Sequence, residues 1–543
     1  MQAAGIHSFE VIFLLLLIFV AGLAALAKRF QIPYPIVMVI GGLILGFFPR
    51  APRLELNPDM VFLLILPPLL FASAFVTSWR DLRYNLVSIS MLALGLVLFT
   101  VWGVAAACRW ILPGFDWRMG LVLGAVVSTT DAIAATAIAE RLGLNKRISD
   151  VIEGESLVND ASGLLALEFT TALLVSGTSP SPLQGVMHFL YLIFGSIAAG
   201  LLIAKLIYFM ELKINDAAIE TTLGLIAPYV AYLAGGSIHG SGVLATVVCG
   251  LYLGHKSSLY LSLGARLQGA AVWNILTFVL NGFVFILLGL QLPYILEDIQ
   301  GYTMGRLVVL GGEFSLVVIL LRLIWVYPGA WVSNFIRRRL LHQDEPFPDP
   351  RGVFVVGWSG MRGVLALAAA ISLPEYLNNG SPFPQRALII FLTFSVICAT
   401  LVGQGLTLPL IIRRFGLCGR SGKDPEETLA RQAMLEAALA YLESAREGDT
   451  PESEPIYDEL IRLQRLRSGL HEKADDAGGS DSRGPELYER FKALSRETRA
   501  LRRAALLNLY NQHRIGDAIF RKLEYELDLV DEQYAISQQS SSI

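Results

Sequence analysis

The sequence predicts an all-α polytopic membrane protein followed by a helical, water-soluble tail. Of its 543 residues, 54% are hydrophobic and 16% are charged, and the mean hydropathy is +0.55, whereas soluble domains usually carry about 25% charged residues. Residues 421–543 contain 17 Lys/Arg and 24 Asp/Glu, which leaves 26 and 22 for residues 1–420. We therefore predict a transmembrane domain over residues 1–420 and a cytoplasmic helical tail over residues 421–543.

Apolar runs separated by short polar breaks predict about thirteen spans, because about 20 helical residues cross the hydrocarbon core. The predicted spans lie near residues 8–27, 33–48, 58–76, 84–110, 118–141, 150–176, 184–210, 217–236, 241–254, 270–293, 306–335, 353–373 and 387–412. With the N-terminus outside, the inner loops carry 16 Lys/Arg and the outer loops carry six. This asymmetry follows the positive-inside rule and places the tail in the cytoplasm. The first apolar run lacks a basic segment before it and is interpreted as an uncleaved span.

The tail is predicted to be helical over residues 425–447 and 453–470. A segment rich in Gly, Asp and Ser at 474–485 indicates a flexible linker, and an amphipathic stretch follows at 486–535. Residues 537–543 are predicted to be disordered. Two interpretations stay open: the tail is a helical bundle or coiled-coil dimerisation element, or it regulates the membrane domain.

The sixth predicted span carries charged and amide side chains in an otherwise apolar helix, within the run Gly154–Asp160. A carboxylate in the middle of a membrane costs at least about 2.5 kcal/mol to insert, so its presence indicates a function. Ser156 and Asp160 lie one turn apart and share a face, as do Glu155 and Asn159. Hydroxyl, amide and carboxylate oxygens therefore converge, which is typical of a site for protons or hard monovalent cations.

Two further spans are predicted to be interrupted helices. The fifth contains Ser128-Thr129-Thr130-Asp131, and the twelfth contains Gly357-Trp358-Ser359-Gly360-Met361-Arg362-Gly363. Interrupted helices in corresponding halves of a transporter mark a binding site near the middle of the membrane. Asp131 can offset the positive N-termini of half-helices, and Arg362 can offset their negative C-termini.

Several classes of function are excluded or disfavoured. The four cysteines form no CxxC and the histidines form no HExxH, so neither a zinc site nor a disulfide framework is predicted; we expect no cofactor and no nucleic-acid partner. The sequence Gly357-Trp358-Ser359-Gly360 fits the GxSG pattern of intramembrane serine proteases. Those enzymes need a histidine base, but no histidine lies in the middle of a clear span, and Asp131, Glu155 and Asp160 would be unexplained. The protein is therefore not expected to be an enzyme.

Several motifs, in order, resemble the monovalent cation/proton antiporter family, in its bacterial sodium/proton exchanger branch, over most of residues 10–415. The motifs that carry the resemblance are Leu66-Pro67-Pro68-Leu69-Leu70-Phe71, Glu153-Gly154-Glu155-Ser156-Leu157-Val158-Asn159-Asp160, Ser241-Gly242-Val243-Leu244-Ala245, Asn281-Gly282-Phe283-Val284-Phe285, Gly357-Trp358-Ser359-Gly360-Met361-Arg362-Gly363 and the single residue Arg322. The resemblance implies thirteen helices with inverted repeats and two broken helices that cross. It also implies a homodimer in which a core domain moves against a dimerisation domain.

The resemblance also implies roles for individual residues. Asp160 is expected to bind the proton or the cation, and Asn159 corresponds to the asparagine of the electroneutral branch. The expected ion-site residues are Asp160, Asn159, Asp131, Thr130, Ser156 and Thr129, of which Asp160, Asp131, Ser156 and Thr130 are expected to hold Na⁺. The expected charge network consists of Glu155, Arg322 and Arg362. Two positions depart from the family pattern: Thr129 stands where proline is frequent, and Ala72 stands where an acid is common.

The function expected from the resemblance is exchange of cytoplasmic Na⁺ or Li⁺ for external H⁺ in the inner (plasma) membrane, electroneutral at 1:1. It would serve pH and sodium homeostasis. K⁺/H⁺ exchange by the same fold is an alternative. A channel or sensor with a signalling tail is a further alternative. A pore would not couple proton movement to cation movement, so the two classes differ in whether a cation gradient drives a pH change.

Overall fold

The computed structural model describes residues 2–48, 58–112, 114–176, 182–299, 301–342, 347–377 and 381–418, together with short pieces of the tail. The chain divides into two compact units, Met1–Cys418 and Gly419–Ile543. The described residues form helices and no strands, apart from two isolated bridges. The predicted all-α membrane fold is therefore confirmed.

The described residues of the first half of the membrane unit form nine helices. They are α1 (Gln2–Phe30), α2 (Tyr34–Gly46), α3 (Pro58–Val76), α4 (Trp79–Tyr84), α5 (Leu86–Ile111), α6 (Trp117–Val126), α7 (Ile133–Arg141), α8 (Lys146–Ser176) and α9 (Pro182–Glu211). The short helix α4 was not predicted. Its first turn is stabilised by Ser78, whose hydroxyl accepts a hydrogen bond from the backbone N–H of Asp81 at 3.3 Å.

In the second half, the part of the chain that the structure describes forms eight helices. They are α10 (Ala217–Ser237), α11 (Gly242–Tyr260), α12 (Leu263–Leu290), α13 (Leu292–Asp298), α14 (Met304–Arg339), α15 (Pro350–Trp358), α16 (Val364–Ile371) and α17 (Arg386–Phe415). The pairs α6/α7 and α15/α16 are the two halves of the spans that the sequence predicts to be broken.

Among the described residues, nine helices are long and apolar enough to cross a membrane, and α2 and α6 are shorter apolar helices. Most observed boundaries lie within a few residues of the predicted ones; α11 runs six residues further than expected, to Tyr260. The count of thirteen spans stays a prediction. In the tail, residues 438–446 are helical; most of the predicted tail helices, the linker and the last residues lie outside the described residues.

Three of the long helices contain a π-helical turn, at Val61–Ile65, Met91–Leu96 and Ala399–Gln404. The first directly precedes Pro67 and Pro68, which cannot donate backbone hydrogen bonds to the preceding turn, so the helix widens there. At the second π-helical turn, side chains of neighbouring helices donate hydrogen bonds to the carbonyls of the widened turn. The indole N–H of Trp325 donates to the carbonyl of Met91 at 2.9 Å, and the hydroxyl of Ser162 donates to the carbonyl of Ala93 at 2.5 Å.

The close crossing of α2 and α12 depends on glycine. A Cβ on Gly42 would collide with the carbonyl of Ile286, and a Cβ on Gly289 would collide with the carbonyl of Val39 and lie 2.6 Å from the backbone nitrogen of Leu43. Small residues allow helix backbones to approach closely in membranes, where packing drives association. This crossing joins the two halves of the membrane unit beside the broken helices.

We expect Gly289→Ala to lower the thermal stability of the protein in detergent by about 1–3 kcal/mol, because the new methyl group meets backbone atoms that cannot rotate away. Gly312→Ala on α14 is the matched control, since a Cβ there has no neighbour within 4 Å. Thermal unfolding of the purified variants measures both effects. Equal midpoints for the two variants would contradict this account of the crossing.

Candidate ion-binding site

The first helix break separates α6, which ends at Val126, from α7, which begins at Ile133. The hydroxyl of Ser128 donates to the carbonyl of Ala125 at 2.7 Å and satisfies part of the free end of α6. The carboxylate of Asp131 accepts a hydrogen bond from the backbone N–H of Ile133 at 2.9 Å. A negative group at a helix N-terminus is stabilised by the unpaired N–H groups and by the helix dipole.

The second break separates α15, which ends at Trp358, from α16, which begins at Val364. The two breaks touch: the backbone N–H of Asp131 donates to the carbonyl of Met361 at 2.8 Å. A Cβ on Gly363 would collide with the carboxylate of Asp131, so only glycine allows this approach. The predicted crossing of two broken helices therefore forms through backbone contact.

Helix α8 stabilises the first break through hydrogen bonds made by side chains on its polar face. The hydroxyl of Ser156 donates to the carbonyl of Thr130 at 2.9 Å, and the same oxygen accepts from the N–H of Ala132 at 3.3 Å. The hydroxyl of Thr130 donates to Glu155 at 3.3 Å and accepts from the amide of Asn159 at 3.1 Å. Backbone groups that the break frees are thus satisfied by side chains on α8.

Glu155 and Arg322 form a buried ion pair between α8 and α14. The two guanidinium nitrogens lie 2.5 and 2.8 Å from the two carboxylate oxygens, and the side chains are 1% and 3% exposed. Arg322 also donates to the carbonyls of Gly357 and Val356, both at 2.9 Å. It therefore binds the negative end of α15 as well as the acid. A Cβ on Gly360 would collide with the guanidinium, which explains the glycine.

Arg362 occupies a different environment. Its backbone N–H donates to the hydroxyl of Thr400 at 3.0 Å, at the π-helical turn of α17. Its side chain is 1% exposed, and its Nε and Nη1 have no hydrogen-bond partner among the described residues. At the C-terminus of α15 it is thus Arg322, and not Arg362, that donates to the exposed carbonyls.

A cavity of about 560 Å³ lies against both breaks. The predicted site residues that line it are Thr129, Thr130, Asp131, Ser156 and Asp160. The two carboxylates and several hydroxyl groups that line this cavity provide the hard oxygen ligands that alkali cations prefer, and the carboxylates also accept protons. Asn159 lies beside them, fully buried, with its amide oxygen unpaired within the described structure.

Helix α12 also contributes polar residues to the lining of the cavity, and the sequence analysis did not assign them to the site. Asn274, Thr277 and Asn281 on α12 line the cavity. Asn281 is 7% exposed, and its amide oxygen has no partner among the described residues. The spacing of these residues, three and then four positions, places them on one helix face. That periodicity was the available signal, and it was weaker than the carboxylates of α8.

The GxSG motif does not form a nucleophile site. Ser359 is 2% exposed, and its hydroxyl donates to the carbonyl of Val356 at 2.9 Å, within the last turn of α15. The serine therefore completes the helix end, as serines commonly do at such positions.

Comparison with known proteins supports transport. The family described as sodium/hydrogen exchanger, transmembrane, matches residues 15–414. The chain is 32% identical over 519 residues to an uncharacterized Na(+)/H(+) exchanger of Mycobacterium tuberculosis (strain H37Rv), covering 94% of this chain and 93% of the relative. It is 33% identical over 412 residues to the sodium, potassium, lithium and rubidium/H(+) antiporter of Bacillus subtilis (strain 168), covering 73% and 60%.

The fold also matches a solved structure. The sodium proton antiporter MjNhaP1 of Methanocaldococcus jannaschii aligns with a TM-score of 0.60 at 19% identity, covering 77% of this chain and 100% of that protein. This likeness shows a common fold for the membrane unit. The members of the matched family are transporters and not enzymes. With the family match over nearly the whole membrane unit, the chain belongs to the sodium/hydrogen exchanger family of multi-pass membrane proteins.

Proposed function

We propose that the protein exchanges cytoplasmic Na⁺ or Li⁺ for external H⁺, electroneutrally at 1:1, and contributes to pH and sodium homeostasis. The observation that carries the proposal is the placement of Asp131 and Asp160 on one cavity at the crossing of two broken helices. Crossing half-helices at the middle of a membrane are a recurring way to build an ion site in secondary transporters. Alternating access then exposes this one site to each side in turn.

In this proposal Asp160 is the exchange carboxylate, and Asp131, Ser156 and Thr130 complete the Na⁺ ligands. Thr129 and Asn159 shape the site. Thr129 is 2% exposed, and its hydroxyl group has no hydrogen-bond partner among the described residues. Asn159 orients Thr130 by donating a hydrogen bond to its hydroxyl group. Glu155, Arg322 and Arg362 are positioning residues. Because a proton and a cation compete for Asp160, exchange is obligatory without a further coupling device.

K⁺ is the second candidate cation, because the Bacillus subtilis relative is named as an antiporter of sodium, potassium, lithium and rubidium. The ligand types of the cavity suit any alkali cation. Size selection depends on how closely the oxygens approach when the site closes.

We propose that the protein is a homodimer in the plasma membrane, with the N-terminus outside and the tail over residues 421–543 in the cytoplasm, and that transport needs no cofactor.

The cavity extends to helix ends near Thr77, Glu211 and Leu261. The distribution of basic residues assigns these ends to the cytoplasmic side, so the conformation described here is proposed to be inward-open.

We expect Asp160→Asn to abolish cation-driven proton movement while the protein still folds, because the amide cannot exchange a proton for a cation. Reconstituted liposomes with a pH-sensitive dye, challenged with Na⁺, Li⁺ or K⁺, measure the effect and identify the ion. Glu168→Gln on the same helix is the control, since Glu168 is an exposed carboxyl and its loss should leave exchange intact. Wild-type exchange by Asp160→Asn would disprove the assignment.

Competition for one carboxylate predicts a defined pH dependence. As the pH falls, the apparent KM for Na⁺ should rise while the maximal rate at saturating Na⁺ stays constant, because protons occupy Asp160 and excess Na⁺ displaces them. Initial rates at a series of Na⁺ concentrations and equal pH on both sides test this. A maximal rate that falls with pH at an unchanged KM would indicate separate sites for the two ions.

We expect Glu155→Gln to lower stability by about 3–5 kcal/mol, because it leaves the guanidinium of Arg322 buried without its counter-charge. Arg322→Met should have a similar effect, and the double variant should lose less than the sum of the two. Thermal unfolding in detergent measures all three. Additive losses would show that the pair does not act as a unit.

A further inference from the structure

Two buried glutamates lie at the far end of the cavity, away from the helix breaks. Glu211 is the last residue of α9 and Glu220 lies in the first turn of α10. They are 2% and 1% exposed, and both line the same cavity as Asp131 and Asp160. Neither belongs to the ion site proposed above.

The two carboxylates are incompletely satisfied. One oxygen of Glu220 accepts a hydrogen bond from the backbone N–H of Ser262 at 2.8 Å. Its other oxygen, and Oε2 of Glu211, are buried without a hydrogen-bond partner in the described part of the chain. The carboxylates lie within electrostatic range of each other and of the buried Tyr260, and Glu211 also lies within range of the buried Cys249. Neither neighbour offers a positive charge.

The surroundings supply no fixed counter-charge. Arg266 also lines the cavity, but it is exposed, and no ion pair is found between a described cationic side chain and either glutamate. Two buried carboxylates that repel each other cannot both stay charged without a compensating cation. A mobile cation or a proton must therefore accompany them.

Among metal cations, the geometry favours a monovalent one as the mobile ligand. The described residues contain no cluster of three or more His, Cys, Asp or Glu side chains able to hold a metal ion, so a divalent-metal ligand set is not formed there. The hydroxyl-bearing residues Ser257 and Tyr260 line the same cavity, and Tyr260 lies within electrostatic range of both glutamates. These groups offer oxygens of the same type as the site at the breaks.

We propose that Glu211 and Glu220 form a second site, which binds one Na⁺ (or another monovalent cation) at the end of the cavity opposite Asp160. A cation that enters the cavity meets this pair first, and the pair raises the local cation concentration next to the transport site. Binding at the pair does not depend on Asp160. The role in loading rests on the function proposed for Asp160.

The test measures binding of radiolabelled Na⁺ to purified full-length protein by a scintillation proximity assay at alkaline pH. Asp160→Asn should retain one bound Na⁺ per protomer, and this binding should be lost when Glu211→Gln and Glu220→Gln are added. The glutamines keep the shape of the side chains and the acceptor for Ser262. Absence of Na⁺ binding by Asp160→Asn, or binding that survives both glutamine substitutions, would overturn the proposal.

Two further measurements keep the result interpretable. In the wild-type background, the double glutamine variant should bind one Na⁺ fewer per protomer and show a several-fold higher KM for Na⁺ with an unchanged maximal rate. Glu297→Gln, at an exposed glutamate on α13, is the matched control and should change neither. An unchanged Na⁺ stoichiometry in a well-folded double variant would overturn the proposal. Loss of exchange in Asp160→Asn separately tests the transport function.

Discussion

The buried ion pair between Glu155 and Arg322 holds the site together, because three elements meet in it. Glu155 belongs to α8, Arg322 belongs to α14, and the same guanidinium binds the last carbonyls of α15. Glu155 also accepts a hydrogen bond from the hydroxyl group of Thr130, at the first break. Removing either partner of a buried ion pair leaves an uncompensated buried charge, at a cost of about 3–5 kcal/mol. The pair therefore fixes the positions of both breaks relative to α8.

Interrupted helices leave free N–H and C=O groups inside a membrane, where water cannot satisfy them. In this protein several of these free groups have a specific side-chain partner among the described residues. Asp131 caps α7, Arg322 caps α15, and Ser156 bridges the extended segment between the halves of the fifth span. The side chains that repair the breaks and the side chains that offer oxygens to the cavity thus come from the same short segments. This double use of the same segments explains why so many polar residues occur within a few turns of Asp160.

Two pairs of acidic residues, Asp131 with Asp160 and Glu211 with Glu220, line the cavity, and their environments differ. Asp131 is tied to a helix N-terminus at the crossing of the broken helices. Glu211 and Glu220 lie at the ends of two uninterrupted helices. Glu220 accepts a hydrogen bond from the backbone N–H of Ser262, and the other oxygen of Glu220 and Oε2 of Glu211 have no partner among the described residues. The polar face of α12, which carries Asn274, Thr277 and Asn281, lines the same cavity.

The sequence by itself determined the helical membrane fold, most of the span boundaries, the two interruptions and the polar cluster on α8. These features follow from local rules: apolar runs must cross the bilayer as helices, and runs of hydroxyl, glycine and charged residues interrupt them. The sequence could not assign Arg322 rather than Arg362 to Glu155, because the partners are 167 residues apart in the chain. It also could not bring Asn281, Glu211 and Glu220 to the cavity of Asp160. Only tertiary packing decides which helix faces meet, since each face is locally compatible with several neighbours.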